Sequence, residues 1–331
     1  MKKMPLKNQK LILTFDYELF LGANSGFVRD CLISPVDELL KVMQEYDAHG
    51  VFFIDSSYLL KLNESDNSDF SLVIEQIGKI VKNGHDVGLH LHPHWQDAEL
   101  RPDGTWNLSK IDKYRFAALP VDYAEEHFDK CYSLLQDIVN QFAPFYKIKA
   151  FRAGGWSIAP FNNFSKLFVK HGILMDFSVI PGGVRKERPL HYYDNRKAPL
   201  NMWKWNFEKD PCIVNTKGRF TEIPVTTYKI NPLLFILNKY YHTKNSERFA
   251  FGTGVARTNW KNQLRKVLLG KKIAALDDIS VKCANMILKH LNSKEVICFV
   301  GHPKMFSKQT FDFLKLILSQ CSTLSVHDIE N

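Results

Sequence analysis

Residues 34–57, SPVDELLKVMQEYDAHGVFFIDSS, set a helix and a strand back to back, and their reading decides the fold. Ser34 reads as an N-cap, Pro35 takes the first helical position, Gly50 stops the helix and VFFIDSS follows as a strand. The alternation runs outward in both directions. Upstream, KLILTF is a strand; downstream, a helix from about Phe70 to Lys82 ends at Asn83-Gly84, and DVGLHL is a third strand. After a loop holding RPDGT, VDYAEEHFDKCYSLLQDIVNQF predicts a long helix, KAFRAGG a fourth strand, PFNNFSKLFVKHG a helix and LMDFSVIP a fifth strand. From Gly182 to about Asn231 the pattern loosens into a Pro-, Trp- and Tyr-rich stretch, expected to form hairpins over one end. Helices resume at NPLLFILNKYYH, NWKNQLRKVLL and DDISVKCANMILKHL, before strand VICFVGH, helix SKQTFDFLKLILSQ and a last short strand TLSVHD. Strands that alternate with helices build a parallel sheet. With no repeat, low-complexity tract or linker, residues 1–331 read as one α/β domain: a distorted (β/α) barrel of about seven strands, elaborated at about 182–231.

Composition narrows the class. Apolar residues make up 45% of the 331, which excludes a disordered or fibrous chain. The net charge of +9 is spread along the sequence in short runs such as RKVLLGKK, a solvated basic surface that also suits anionic substrates or lipid headgroups. Zinc-finger spacing, a Gly-rich RNA-binding signature and an arginine-rich arm are all missing, so nucleic acid is not an expected partner. Cys31, Cys131, Cys212, Cys283, Cys298 and Cys321 lie far apart with no CxxC and read as reduced residues of a cytosolic protein. The basic N-terminus leads into an apolar run too short for a signal peptide, and no stretch approaches the ~20 apolar residues of a membrane span. The expectation is a cytoplasmic protein, with contact to a membrane surface left open and the oligomeric state unspecified.

The polar residues gather at strand ends. Asp16 and Glu18, His90 to His94, Arg152, Asp176 and His302 each stand at the C-terminal end of an expected strand or just past it, the end that builds active sites in β/α barrels. In LTFDYELF, alternation points Asp16 and Glu18 one way and Phe15 and Tyr17 the other. Two carboxylates a pleat apart can divide the work of holding a cation and moving a proton.

The stretch GHDVGLHLHPHW is the densest in histidine. In an extended chain His90 and His94 would lie about 13 Å apart at ~3.3 Å per residue, too far for one ion that each must approach within ~2.1 Å. Pro93 argues for a turn, which would bring His90 and His94 onto one face; if the strand persists instead, His90 and His92 form the pair. Either pair with one carboxylate gives a two-His-one-carboxylate centre with open positions. The turn reading is preferred, with His92 a neighbouring or substrate-contacting residue. His85, before the strand, reads as structural. Arg152 in FRAGGW can keep Asp16 ionised, Asp176 can orient a histidine or cap the next turn, and His302 in FVGHPKMF is a candidate general acid.

TFD on the first strand, GHDVGLH with a further His four residues on, FRAG on a middle strand and a late strand ending in His resemble, in order along the whole chain, the polysaccharide deacetylase superfamily (NodB homology, carbohydrate esterase family four). The resemblance implies a distorted barrel that removes acetyl groups from N-acetylated sugars with one divalent metal, zinc foremost and cobalt, nickel or manganese as other candidates. It implies Asp16 as general base, Arg152 as the arginine that holds it and His302 as the leaving-group acid. It implies Glu18, His90 and His94 as metal ligands, Glu18 because Tyr17 stands where many members have the ligand aspartate. Asp176 corresponds to the aspartate of a DSSV-type strand, and Gly-Gly-Trp replaces the usual Pro-Tyr after the arginine. Tyr17, His92, Trp95 and Trp156 are expected substrate contacts, with Trp203, Trp205 and Tyr192 as further stacking surfaces. The absence of a signal peptide favours a nucleotide- or lipid-linked amino sugar of surface-polysaccharide assembly as substrate. The alternatives are an amidohydrolase-like deacylase of a small non-sugar amide and a catalytically silent glycan-binding barrel.

Overall fold

Val51–Asp55, the strand closing the unit that opened the sequence, is buried at every residue because it runs through the middle of a parallel sheet covered on both faces. The computed structural model describes residues 9–65, 67–244, 247–254, 271–291, 294 and 296–330. Its strands are β1 (Lys10–Tyr17), β2 (Val51–Asp55), β3 (Asp86–Leu91), β4 (Glu99–Leu100), β5 (Trp106–Asn107), β6 (Ala150–Ala153), β7 (Met175–Asp176) and β8 (Val184–Glu187). They continue with β9 (His191–Asp194), β10 (Trp203–Trp205), β11 (Phe220–Glu222), β12 (Thr227–Lys229), β13 (Lys271–Ile273), β14 (Val296–Gly301) and β15 (Ser322–Thr323). The helices are α1 (Ser34–Glu45), α2 (Ser56–Glu64), α3 (Asp69–Lys82), α4 (Val121–Asn140), α5 (Ser165–His171), α6 (Pro232–Lys244), α7 (Val281–Leu291), α8 (Lys308–Leu318) and α9 (Val326–Glu330).

The main sheet runs β10-β11-β7-β6-β3-β2-β1-β14, parallel except for β10 with β11, and β15 adds to β1. It curls into the distorted (β/α) barrel that the alternation implies. Residues between β11 and β14 draw its free ends together: the Val225 amide donates to Val179 O, Thr226 N to Cys298 O and Val300 N to Ala274 O. Side-chain alternation divides the core in two. Ile12, Val51, Phe53, Ala150, Met175, Phe177, Ile223 and Cys298 fill the barrel interior, whereas Leu11, Leu13, Phe15 and Tyr17 pack outward under the helices. In the interior the Phe53 ring lies over Gly88, where an added Cβ would come within 2.5 Å of it, and the same ring carries the Arg152 guanidinium at 4.2 Å. A glycine on β3 thus makes room for the platform beneath the charged layer.

Several local expectations change. Ser34 does not cap α1: residues Arg29–Ile33 already coil as a π-helical turn, so Ser34 has helical φ −61° and its hydroxyl caps nothing. The second strand stops at Asp55, and Ser56 begins a helix the sequence reading passed over. Asn83 and Gly84, with φ +79°, do end α3. β7 is only two residues long because the Asp176 carboxylate turns the chain onto Ser178, accepting from its amide and hydroxyl. TLSVHD gives the short β15 and then α9, whose Asp328 amide donates to the Ser325 hydroxyl. Within 182–231, β8 and β9 form a separate hairpin, but β10 and β11 extend the main sheet instead of covering it. NWKNQLRKVLL lies outside the described residues. Among the described residues no helix is long and apolar enough to cross a membrane, and the six cysteines form no disulfide.

Candidate active site

Parallel register assembles the site. Asp55, His90 and Arg152 are direct partners across β2, β3 and β6, so their side chains share one layer at the C-terminal ends of the strands. Thr14 and Asp16 face the same interior from β1, and Arg152 binds both, its Nη2 donating to Thr14 Oγ1 at 2.8 Å and its Nη1 to Asp16 Oδ1. Its Nε donates to Phe177 O at 3.2 Å, and the side chain is wholly buried. Burial would raise the Asp16 pKa, but the guanidinium of Arg152 and the His302 ring hold it well below the usual carboxylate range. Asp16 Oδ2 lies 3.4 Å from His302 Nε2, and His302 Nδ1 lies 3.1 Å from Asp277 Oδ2. Burial works against charge on His302, yet Asp277 and Asp16 outweigh it and raise the pKa to about 10. The side chain of His302 keeps 24% of its surface exposed, while that of Asp16 keeps 4%. An ionised acceptor therefore stands beside a charged donor at the mouth of the barrel.

The second part of the site begins at Glu18. Its Oε2 lies 3.3 Å from His90 Nε2 and 3.1 Å from His92 Nε2, and its Oε1 accepts from Lys304 Nζ at 2.8 Å. Lys304, also buried, donates to Leu19 O at 2.7 Å. One ligand atom from each of Glu18, His90 and His92 fits within a 4.8 Å span, and so does one from each of Asp16, Glu18 and His302. The two clusters share Glu18 and form one continuous site. His90 Nδ1 is 2.7 Å from Arg152 O, and donating to that carbonyl turns the Nε2 lone pair toward Glu18. These residues fit a divalent cation: two imidazole Nε2 atoms and a carboxylate oxygen converge.

The histidine pair beside Glu18 is thus His90 and His92, the strand alternative, and not His90 and His94. The chain is still extended at His92, with φ −120° and ψ 81°, and coils only from Pro93, so period two operates where a helical turn was expected. His94 is fully buried behind His92, and burial and His92 lower its pKa to about 3. His85, buried and with its pKa lowered to about 4, lies outside the site as expected.

Other expected residues fall elsewhere. Asp176 does not reach the reacting groups; it holds Ser178, whose hydroxyl accepts from the Ala153 amide, and it lies beside Glu222, in register on β11. Two buried carboxylates side by side cannot both ionise, and Glu222 is pushed well above its usual range by burial and by Asp176. Tyr17 points away from the site into the outer core, as alternation requires, so its side chain is no substrate contact. Trp95 is wholly buried against Tyr58, its indole N–H donating to Asp55 Oδ2 at 2.7 Å. Trp205 is likewise core, and Trp203 is buried with its N–H on Pro211 O. Trp156 is half-buried with its ring 5.0 Å from the Arg152 guanidinium. Sequence reasoning passed over Asp277, Lys304, Asp55 and Tyr114, whose ring lies 4.9 Å from those of both His92 and His94. Of these, only Asp55 carried a readable signal, a carboxylate ending a strand.

No protein-family model matches the chain, and no curated protein matches it. Solved structures similar to it include a putative polysaccharide deacetylase from Mycobacterium smegmatis, 11% identical, covering 98% of this chain and 90% of its own, with a TM-score of 0.49. The Puue allantoinase is 12% identical over 98% and 89% of the two chains, with a TM-score of 0.46. A family 4 carbohydrate esterase from Streptomyces lividans, in complex with acetate, is 10% identical over 96% and 93%, with a TM-score of 0.39. Likeness this distant transfers no activity, and the chemistry follows from the residues of the site.

Proposed function

We propose that this protein is a metal-dependent hydrolase that removes an N-acyl group, acetyl foremost, from an amino sugar carried on a nucleotide or a lipid in surface-polysaccharide assembly. One observation carries the reading: the Asp16 carboxylate, held by Arg152, lies close both to the Asp277-bound imidazole of His302 and to Glu18 of the Glu18–His90–His92 cluster. A divalent cation held by Glu18, His90 and His92 would polarise the acyl carbonyl and acidify water. Asp16 is ionised at neutral pH and accepts the proton of the attacking water. Arg152 keeps that carboxylate charged and fixed. His302 is protonated over the same range and donates to the departing amine nitrogen. Neighbouring groups with pKa values pushed apart in this way divide into base and acid. Asp277 steadies the His302 ring through Nδ1, and Trp156 offers a flat surface beside Arg152. The motifs quoted above support the same reading independently of the geometry.

Amine release from N-acetylated sugars, nucleotide sugars and lipid-linked saccharides is the direct test; release from none of them with metal supplied would overturn the proposal. The pH profile offers a finer one. Because the raised pKa of His302 keeps the acid charged to about 10, kcat is expected to fall only above that pH. Asp277→Asn removes the largest raising influence and should bring the alkaline fall toward 6.5, the ordinary histidine value. The same pair should stabilise the fold fully below pH 6.5, a contribution lost as pH rises through about 10. An Asp277→Asn enzyme whose alkaline limb does not move would remove His302 from the mechanism.

A further inference from the structure

The hairpin of β8 and β9 docks on the rim of the barrel beside the histidines. His191 Nδ1 lies 3.0 Å from Gly155 O, the Tyr192 amide donates to Ser157 Oγ at 3.2 Å, and Arg115 Nε donates to Pro189 O in the hairpin turn at 2.8 Å. Tyr114, whose ring packs at a tilt against His92 and His94, also touches His191 at 5.9 Å between ring centroids. One residue further along each segment come Arg115 and Tyr192. The Tyr192 ring carries the Arg115 guanidinium at 5.6 Å and that of Arg188 at 4.1 Å. Arg115 is only 8% exposed, whereas Arg188 and Tyr192 face solvent.

Among the described residues neither of these guanidinium groups is paired with a carboxylate. Glu187, in the same hairpin, is engaged by Arg185 at 2.9 Å, and Asp194 by Arg196. Two like charges around one ring repel each other, and no carboxylate beside them offsets that repulsion. Among the described residues the one hydrogen-bond acceptor on Arg115 is that main-chain carbonyl, which leaves its Nη atoms open to a ligand. The arrangement lacks an anion, and the planar fork of arginine matches phosphate oxygens in pairs.

We propose that Arg115 and Arg188, gathered around Tyr192 beside the active site, form a phosphate-binding subsite that recognises the phosphate or pyrophosphate link of a conjugated sugar. This rests on the deacylase reading for the sugar but not for the anion.

Calorimetric binding of UDP, farnesyl pyrophosphate and uridine to the purified protein tests the subsite, the first two separating nucleotide from lipid as the source of the phosphates. At least one diphosphate is expected to bind and uridine not to. Arg188→Gln and Arg115→Gln should each weaken that binding by about ten- to hundredfold, the scale of a charge-assisted hydrogen bond. Arg188 is exposed, so its variant reads the subsite even if Arg115→Gln fails to fold. In turnover, the ratio of kcat/KM for a diphosphate-linked N-acetyl sugar to that for its phosphate-free counterpart should drop by the same factor. Diphosphate binding that is absent, or equal in wild type and Arg188→Gln, would overturn the subsite. Arginine-dependent diphosphate binding with no amine release from any sugar would leave the subsite standing and sink the deacylase instead.

Discussion

Asp16→Asn is expected to lower kcat for amine release by a factor of about 10² to 10⁴, the range supplied by a positioned general base. The amide keeps the shape of the carboxylate and can still accept from Arg152, so substrate affinity should change little and the loss should sit in kcat. Stability should change as well. Arg152 is completely buried, with no other anion bonded to it among the described residues, since its remaining donors go to Thr14 and Phe177 O. Breaking a buried ion pair from one side costs about 3–5 kcal/mol, and the retained hydrogen bond puts this variant near the lower figure. Amine release and denaturant unfolding on the same preparation separate the two effects. An Asp16→Asn protein within tenfold of wild-type kcat would exclude Asp16 as the base.

The depressed Asp16 pKa also fixes a sign in acid. A carboxylate lowered on folding contributes stability above its ordinary value near 3.8, and that contribution is lost as pH falls through the folded value. His94, lowered to about 3, acts earlier: between pH 6.5 and 3 the unfolded chain takes up a proton that the folded ring refuses. Stability therefore declines in that window before Asp16 begins to titrate.

What could be read in the sequence was local and periodic. The punctuation of helices by Pro and Gly, and strands ending in charged residues, specify the barrel and the rim on which its chemistry lies. Period two on β1 separates Asp16 from Tyr17 without any structure, and the outward burial of Tyr17 follows from it. Two kinds of feature were hidden. Asp277 and Lys304 owe their places to the closing segments and to the turn after β14, and neither residue type marks a partner fixed by tertiary contact. Trp95 is an expected sugar-stacking surface, but it is wholly buried with its N–H on Asp55. The rim arginines could not be read for the same reason: Arg115 and Arg188 lie far apart in sequence, and only the docked hairpin places both against Tyr192.

The choice between His92 and His94 turned on one residue of backbone, and metal content settles it. Glu18→Gln, His90→Ala and His92→Ala are each expected to lose a bound divalent ion, with affinity falling by more than the ten- to hundredfold typical of a residue that only supports a ligand. His94→Ala should keep the ion, because its ring lies behind His92 and outside the cluster that Glu18 completes. Acid should act in the same direction. Burial opposes a proton on His90, but Glu18, Asp16 and Asp55 outweigh it and raise its pKa, so proton and cation compete for Nε2 and affinity falls as pH falls. Lys304 sets the balance of charge: it neutralises one Glu18 oxygen while the other faces the histidines, so the cluster is less anionic toward a cation than its carboxylate alone would make it. Elemental analysis of the purified variants, with circular dichroism to confirm folding, reads the outcome. Retention of metal in His92→Ala together with its loss in His94→Ala would reverse the assignment and require the turn at Pro93 to begin two residues earlier.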